Sequence, residues 1–206
     1  MKKFALALVL ALLLSPVLLA QLNLDYQKPS KEILELVDVP LAPSVLMDDN
    51  KEHMVLLYRD AYKSIEELSR KELRLGGLRI DPLTNIGSRT TYYNKLKLNR
   101  LSPEGIEAHE VEGLPENPRL SNFTWSPDQK KMAFTHTTST GVELWVLNLP
   151  MKQATKLTEA RINANMRDVI NWFEDSKSIL VKMISPDRIA LIDVQNAVPT
   201  GPTISV

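Results

Sequence analysis

The chain has 206 residues, 44% of them hydrophobic, with 25 basic and 25 acidic side chains. That length and composition suit one large folded domain or two small ones and exclude a disordered or fibrous chain. Balanced charge argues against a nucleic-acid or anionic-membrane surface, and the absence of cysteine removes disulfide and thiol chemistry.

The chain opens "MKKFALALVLALLLSPVLLAQ", with a short basic end, an apolar run from Phe4 to Leu14, the helix breaker Pro16 and a small residue before Gln21. This layout predicts a secretory signal peptide over residues 1–20, cut between Ala20 and Gln21, and a periplasmic or secreted product. The apolar run is shorter than the ~20 residues a spanning helix needs, so no stable membrane anchor is expected. Residues 21–44 read as an N-terminal arm, in which Ser30 caps a short helix carrying Ile33, Leu34 and Val37 before Pro40 and Pro43 stop it.

Residues 45–206 read as strands. "SVLMDDNKEHMVLLYR" gives two apolar runs around a polar turn, a hairpin pattern. The segment over residues 60–89 reads as an insertion, helical from Ser64 onward, with Ser64 and Glu67 in capping-box spacing and Gly76-Gly77 at its end. Farther on, "FTWSPDQKKMAFTHT" and "INWFEDSKSILVKMI" share a Trp, an Asp-containing turn and a following apolar strand. Each is followed by another strand, "GVELWVLNL" or "RIALIDV", and the first of these by the polar link "PMKQATKLTEA". Trp125 and Trp172 stand 47 positions apart; Asp49 and Asp128 stand 79 apart, or 49 once the 30 insertion residues are set aside. Short strands repeating every ~40–50 residues predict an all-β fold, an incomplete β-propeller of about two and a half blades with a helical insertion. A β-sandwich is the alternative architecture.

The residues offer little chemistry. His53, His109 and His136 share no metal-site spacing, and His136 reads as a surface residue beyond a strand. The G-x-S-x-G elbow is absent, Gly87-Ser88 does not supply it, and Gly76-Gly77 is not followed by a phosphate-binding helix start. The pairs Asp48-Asp49, Glu66-Glu67 and Glu174-Asp175 read as solvated charge. No catalytic, cofactor-binding or metal-binding residue is assigned.

One stretch is more distinctive. "LGGLRIDPLTNIGSRTTYY", residues 75–93, resembles a segment of the N-terminal propeller in the glutamyl endopeptidase branch of the prolyl oligopeptidase family of serine peptidases. The flanks "PSKEILELVDVPLAPSVLMDDNKEHMVLLYR", "FTWSPDQKKMAF" and "VPTGPTISV" resemble the same branch in the same order. The resemblance implies an exported serine endopeptidase, with cleavage after Glu or Asp, in which the propeller gates peptide access to a C-terminal α/β-hydrolase domain. The family's Ser, Asp and His belong to that domain, so none is carried over and the chain taken alone is not an enzyme. Its implied partners are a peptide substrate and the hydrolase domain. Arg79, Asp81, Asn85 and Arg89 match the branch pattern and are expected to form a structural or gating network. A free-standing exported propeller that binds or scaffolds is the alternative function.

Overall fold

The computed structural model describes residues 27–188. The expected cleavage site at Ala20–Gln21, most of the strand expected in "RIALIDV" and the link "VPTGPTISV" lie outside the described residues. The chain divides into two units, one ending at Val39 and the other starting at Pro40. In the first, helix α1 spans Lys31–Val37; Ser30 holds the N-cap position with extended backbone, yet its side chain makes no capping bond. No residue of α1 is buried, and no helix of the described residues is long and apolar enough to cross a membrane.

The second unit is mostly β, in several antiparallel sheets. The first sheet contains β1 (Ser44–Met47), β2 (His53–Tyr58), β6 (Lys95–Ser102) and β7 (Gly105–His109), in the order β1-β2-β6-β7. The second is a meander of β8 (Leu120–Trp125), β9 (Lys131–Thr137), β10 (Val142–Asn148) and β11 (Gln153–Lys156). A third pairs β12 (Ile170–Trp172) with β13 (Ile179–Val181). Part of the expected polar link is therefore a strand: β11 lies along β10 because Ala154 finds a buried site opposite Leu147, while its neighbours stay exposed.

The second sheet is buried on both faces, as its period-two pattern dictates. Met132 and Phe134 of β9 and Leu147 of β10 join Val55, Leu57, Leu96 and Leu98 of the first sheet in one apolar cluster. Ala133, Val142 and Leu144 point the other way, into a cluster shared with Ile162, Val169 and Ile170. Three sheets are thus held face to face in chain order by two apolar layers.

A six-residue turn recurs at the same place in all three sheets. In Asp48–His53, Ser126–Lys131 and Phe173–Ser178, the first N–H donates to the sixth carbonyl, at 3.1, 2.9 and 3.0 Å. The fourth N–H donates to the first carbonyl, and the fourth residue is left-handed: Lys51 at φ 59, Gln129 at 60 and Ser176 at 53. The last two N–H groups are capped by side chains each time. Asp48 Oδ1 accepts both in the first turn, Ser126 Oγ and Asp128 Oδ1 divide them in the second, and Asp175 Oδ1 takes both in the third. This places Asn50, not Asp49, opposite Asp128, which moves the expected repeat spacing by one residue; the first copy has no Trp. Met47 stands where the other sheets have Trp125 and Trp172, each the last paired residue before its turn.

The tryptophans are half-buried rather than fully enclosed. Trp125 packs with Phe123 on the first apolar cluster, and Phe123 stacks on Phe134 at 5.7 Å between centroids. Trp172 packs on the second cluster and its indole N–H donates to the Thr124 carbonyl at 3.2 Å. His136 is not at the surface. It lies within β9, 8% exposed, on the same face as Phe134, beside Glu143 at 3.2 Å and edge-on to Trp145. Although burial opposes it, the Trp145 indole, His136 and Lys156 hold the Glu143 carboxyl below its ordinary pKa.

The insertion between β2 and β6 departs most from expectation. Helix α2 covers only Ile65–Ser69, capped as expected by Ser64 Oγ accepting from the Glu67 N–H at 3.2 Å. Beyond it the chain forms β3 (Leu73–Leu75), β4 (Leu78–Asp81) and β5 (Ile86–Gly87), a small antiparallel sheet. The alternation Leu73, Arg74, Leu75 suits a strand, and Gly76-Gly77, at φ 51 and 89, forms a two-residue hairpin turn with both central residues left-handed. The glycines join two strands instead of ending a helix.

Phe134 is fully buried at the centre of the first apolar cluster. Phe134→Ala should cost about 3–5 kcal/mol of folding stability, read as a lower urea midpoint for the purified chain. Leu180→Ala, at an exposed position of β13, should shift it by less than about 0.5 kcal/mol.

Candidate functional site

The insertion walls a cavity of about 510 Å³ whose lining is dominated by charge. α2 supplies Glu67, the following loop Arg70 and Glu72, β3 Arg74, β4 Arg79 and Asp81, and the segment after β5 Ser88, Arg89 and Tyr92. Arg119 approaches from the chain entering β8, and Lys63 from the start of the insertion. Six cationic side chains face three carboxylates.

The carboxylates organise the walls. Glu72 Oε1 accepts from Arg74 Nε and Arg79 Nη1, both at 2.9 Å, while its other oxygen accepts from the Ser88 hydroxyl. The Ser88 hydroxyl, and after partial burial has opposed it the two guanidinium groups, hold the Glu72 carboxyl at about 2. Asp81, buried at the end of β4, accepts from the Leu83 and Thr84 N–H groups with Oδ1 and from Arg70 Nη1 at 3.2 Å with Oδ2. Arg119 Nη2 donates to Glu67 at 3.0 Å, and its guanidinium lies 4.3 Å from the centre of the Tyr92 ring. Burial pushes the Tyr92 phenol above its ordinary pKa.

The four residues singled out in the sequence do not converge on one point. Arg79, Asp81 and Arg89 line the cavity, but Arg79 bonds Glu72 and Asp81 bonds Arg70, not each other. Arg89 is exposed and makes no hydrogen bond or ion pair among the described residues. Asn85 belongs elsewhere. Its left-handed backbone, φ 58, closes the turn begun at Asp81, its side-chain Nδ2 donates to Asn163 Oδ1 at 2.8 Å, and its side-chain Oδ1 accepts from Arg188 at 2.8 Å. Asn85 thereby ties the insertion to the segment between the second and third sheets and to the chain after the third. Glu72, Arg70 and Arg119 carry no such signal in the sequence: the first two fall in a stretch that reads as helix, and Arg119 is 30 positions beyond Arg89. Among the described residues no group of His, Asp and Glu is arranged to hold a metal.

The fold and site together define a mostly β protein of stacked antiparallel sheets carrying a charged inserted cavity. Among curated proteins, it is similar to a rice (Oryza sativa subsp. japonica) protein named probable glutamyl endopeptidase, chloroplastic, 30% identical over 197 residues, which cover 90% of this chain and 21% of that protein. An Arabidopsis thaliana protein of the same name is 29% identical over 187 residues, covering 86% of the chain and 19% of that protein. The chain spans about a fifth of the length of these relatives. It is thereby linked to peptidases. No family model matches it.

Because the folded-state pKa of Glu72, about 2, lies below its ordinary 4.5, its carboxylate stabilises the fold above about pH 4.5 and loses that effect as pH falls towards 2. Thermal unfolding of the chain and of Glu72→Gln should therefore differ most at pH 6 and converge towards pH 3. A constant difference across that range would show that the carboxylate charge is not what holds Arg74, Arg79 and Ser88.

Proposed function

We propose that these residues are the N-terminal β-propeller portion of an exported serine endopeptidase that hydrolyses peptide bonds after acidic residues. The observation that carries this reading is the similarity to two proteins named glutamyl endopeptidase along about nine-tenths of the chain. The architecture supports it. Four-stranded antiparallel sheets stacked face to face, each opened by the same turn, are what propeller blades require, because a single blade cannot bury its own apolar faces. In this reading the sheets built on β1, β8 and β12 are successive blades, and the ring is completed by further blades of the longer protein.

The propeller's task is exclusion. Set over the mouth of an α/β-hydrolase domain, a ring of blades admits extended peptides and holds folded proteins away from the nucleophile. That domain supplies the Ser, Asp and His; this portion contributes selection of substrate. Export rests on the basic, apolar and small-residue sequence of the first 20 positions, and the product is periplasmic or secreted.

The test is to express the complete open reading frame containing these residues and to assay matched peptides with an internal Glu or Gln. Cleavage after Glu, abolished by a serine-directed inhibitor, is expected of the complete protein. The 206-residue chain by itself should hydrolyse neither peptide. A complete protein with no peptidase activity overturns the reading.

A further inference from the structure

The geometry points to the cavity of the insertion as a binding site for an acidic peptide segment, held through its side-chain carboxylates. The reading rests on the peptidase proposal only in taking a peptide as the ligand; the preference for acid comes from the cavity itself. Its cations outnumber its carboxylates by six to three, and the excess is concentrated on groups with donors to spare. Arg89 is exposed at the cavity and has no ion pair among the described residues. Lys63 Nζ reaches the carbonyl oxygens of Ser88 and Thr90, at 3.5 and 3.2 Å, and no carboxylate among the described residues. Arg119 has one nitrogen on Glu67, but its Nε is buried without a hydrogen-bond partner. Left short of hydrogen bonds, that guanidinium adds its charge to the cationic wall of the cavity.

The chemistry favours carboxylate over the other anions. The cavity already shows how it binds such groups, since Glu72 is clasped by two guanidinium groups and a hydroxyl. A volume of about 510 Å³ lies within the range of pockets that enclose small ligands. A nucleotide would need a free aromatic face on which to stack its base. Tyr92 is the one aromatic ring of the lining, and Arg119 lies over it. Nor is there a glycine-rich loop feeding a helix to cradle a phosphate chain; Gly76-Gly77 turns one strand into the next.

Fluorescence anisotropy on the 206-residue chain tests this with a labelled peptide containing three Glu residues and with its Gln counterpart. The Glu peptide should bind at least ten-fold tighter and weaken as salt rises. Arg89→Ala and Lys63→Gln should each weaken it three- to ten-fold while circular dichroism stays unchanged, since neither side chain is buried. Arg100→Ala, an exposed cation outside the cavity lining, should leave it unaltered. Equal affinity for the two peptides, no binding of either, or equal effects of Arg89→Ala and Arg100→Ala overturns the site. Displacement by tripolyphosphate at a lower concentration than by unlabelled Glu peptide overturns the choice of carboxylate. Hydrolysis by the complete protein is a separate readout: acid-selective binding without hydrolysis sinks the peptidase reading alone, and hydrolysis without acid-selective binding sinks this one alone.

Discussion

The left-handed fourth residue of a six-residue turn is the constraint on which the sheets depend. With Lys51, Gln129 and Ser176 at φ between 53 and 60, each chain reverses tightly enough for its two strands to pair from the residue before the turn. Side-chain caps satisfy the N–H groups that this geometry leaves free, so the buried Asp48, Ser126 and Ser176 are fixed by hydrogen bonds rather than stranded. The fourth residue also links turns. Gln129 exchanges hydrogen bonds with Asp49 of the preceding turn, at 3.2 Å each way, and Ser176 Oγ accepts from the Asp128 N–H at 3.0 Å. One backbone requirement thus sets both the register within each sheet and the contact between successive sheets.

How far the sequence anticipates this depends on the length scale of the signal. The Trp–turn–strand units around Trp125 and Trp172 are local, and their turn chemistry is carried by Ser126, Asp128 and Asp175, so they are readable directly. The first copy is harder, because Met47 replaces Trp and the capping carboxylate moves from the third turn position to the first, Asp48. A search keyed on Asp then slips by one residue. His136 shows a different limit. In a strand whose other face carries Ala133 and Thr135, nothing in the chain order announces that a polar ring on the Phe134 face will be buried against Trp145.

The insertion departs from its local helical signal for a physical reason. Glu66, Glu67, Lys71 and Glu72 are good helix formers, and a sound cap at Ser64 begins a helix. What ends it is the lateral pull of Glu72 on Arg74, Arg79 and Ser88, three groups that one helix could not bring to a single carboxylate. The alternation of Leu73 and Leu75 and the paired glycines then favour a hairpin over another helical turn. Local propensity yielded to a charge network that assembles only in three dimensions.

That network also explains how so many arginines can line one cavity. Like charges crowded around about 510 Å³ would repel, and screening is weak where water is partly excluded. Glu67, Glu72 and Asp81 offset enough of this repulsion to hold Arg119, Arg79 and Arg70 in place, so they act as scaffold. Arg89 and Lys63 lie beyond the reach of those carboxylates, and their charge remains free. Arg70, Arg74 and Arg79 stand on or beside the small sheet and helix and Arg119 on the chain entering β8, whereas Arg89 and Lys63 stand on the irregular segments leaving and entering the insertion. Through Asn85, the same segment is tied to Asn163 between the second and third sheets and to Arg188 beyond the third. An anion drawn to Arg89 therefore meets a wall anchored at a second point in the fold, four residues away along the chain.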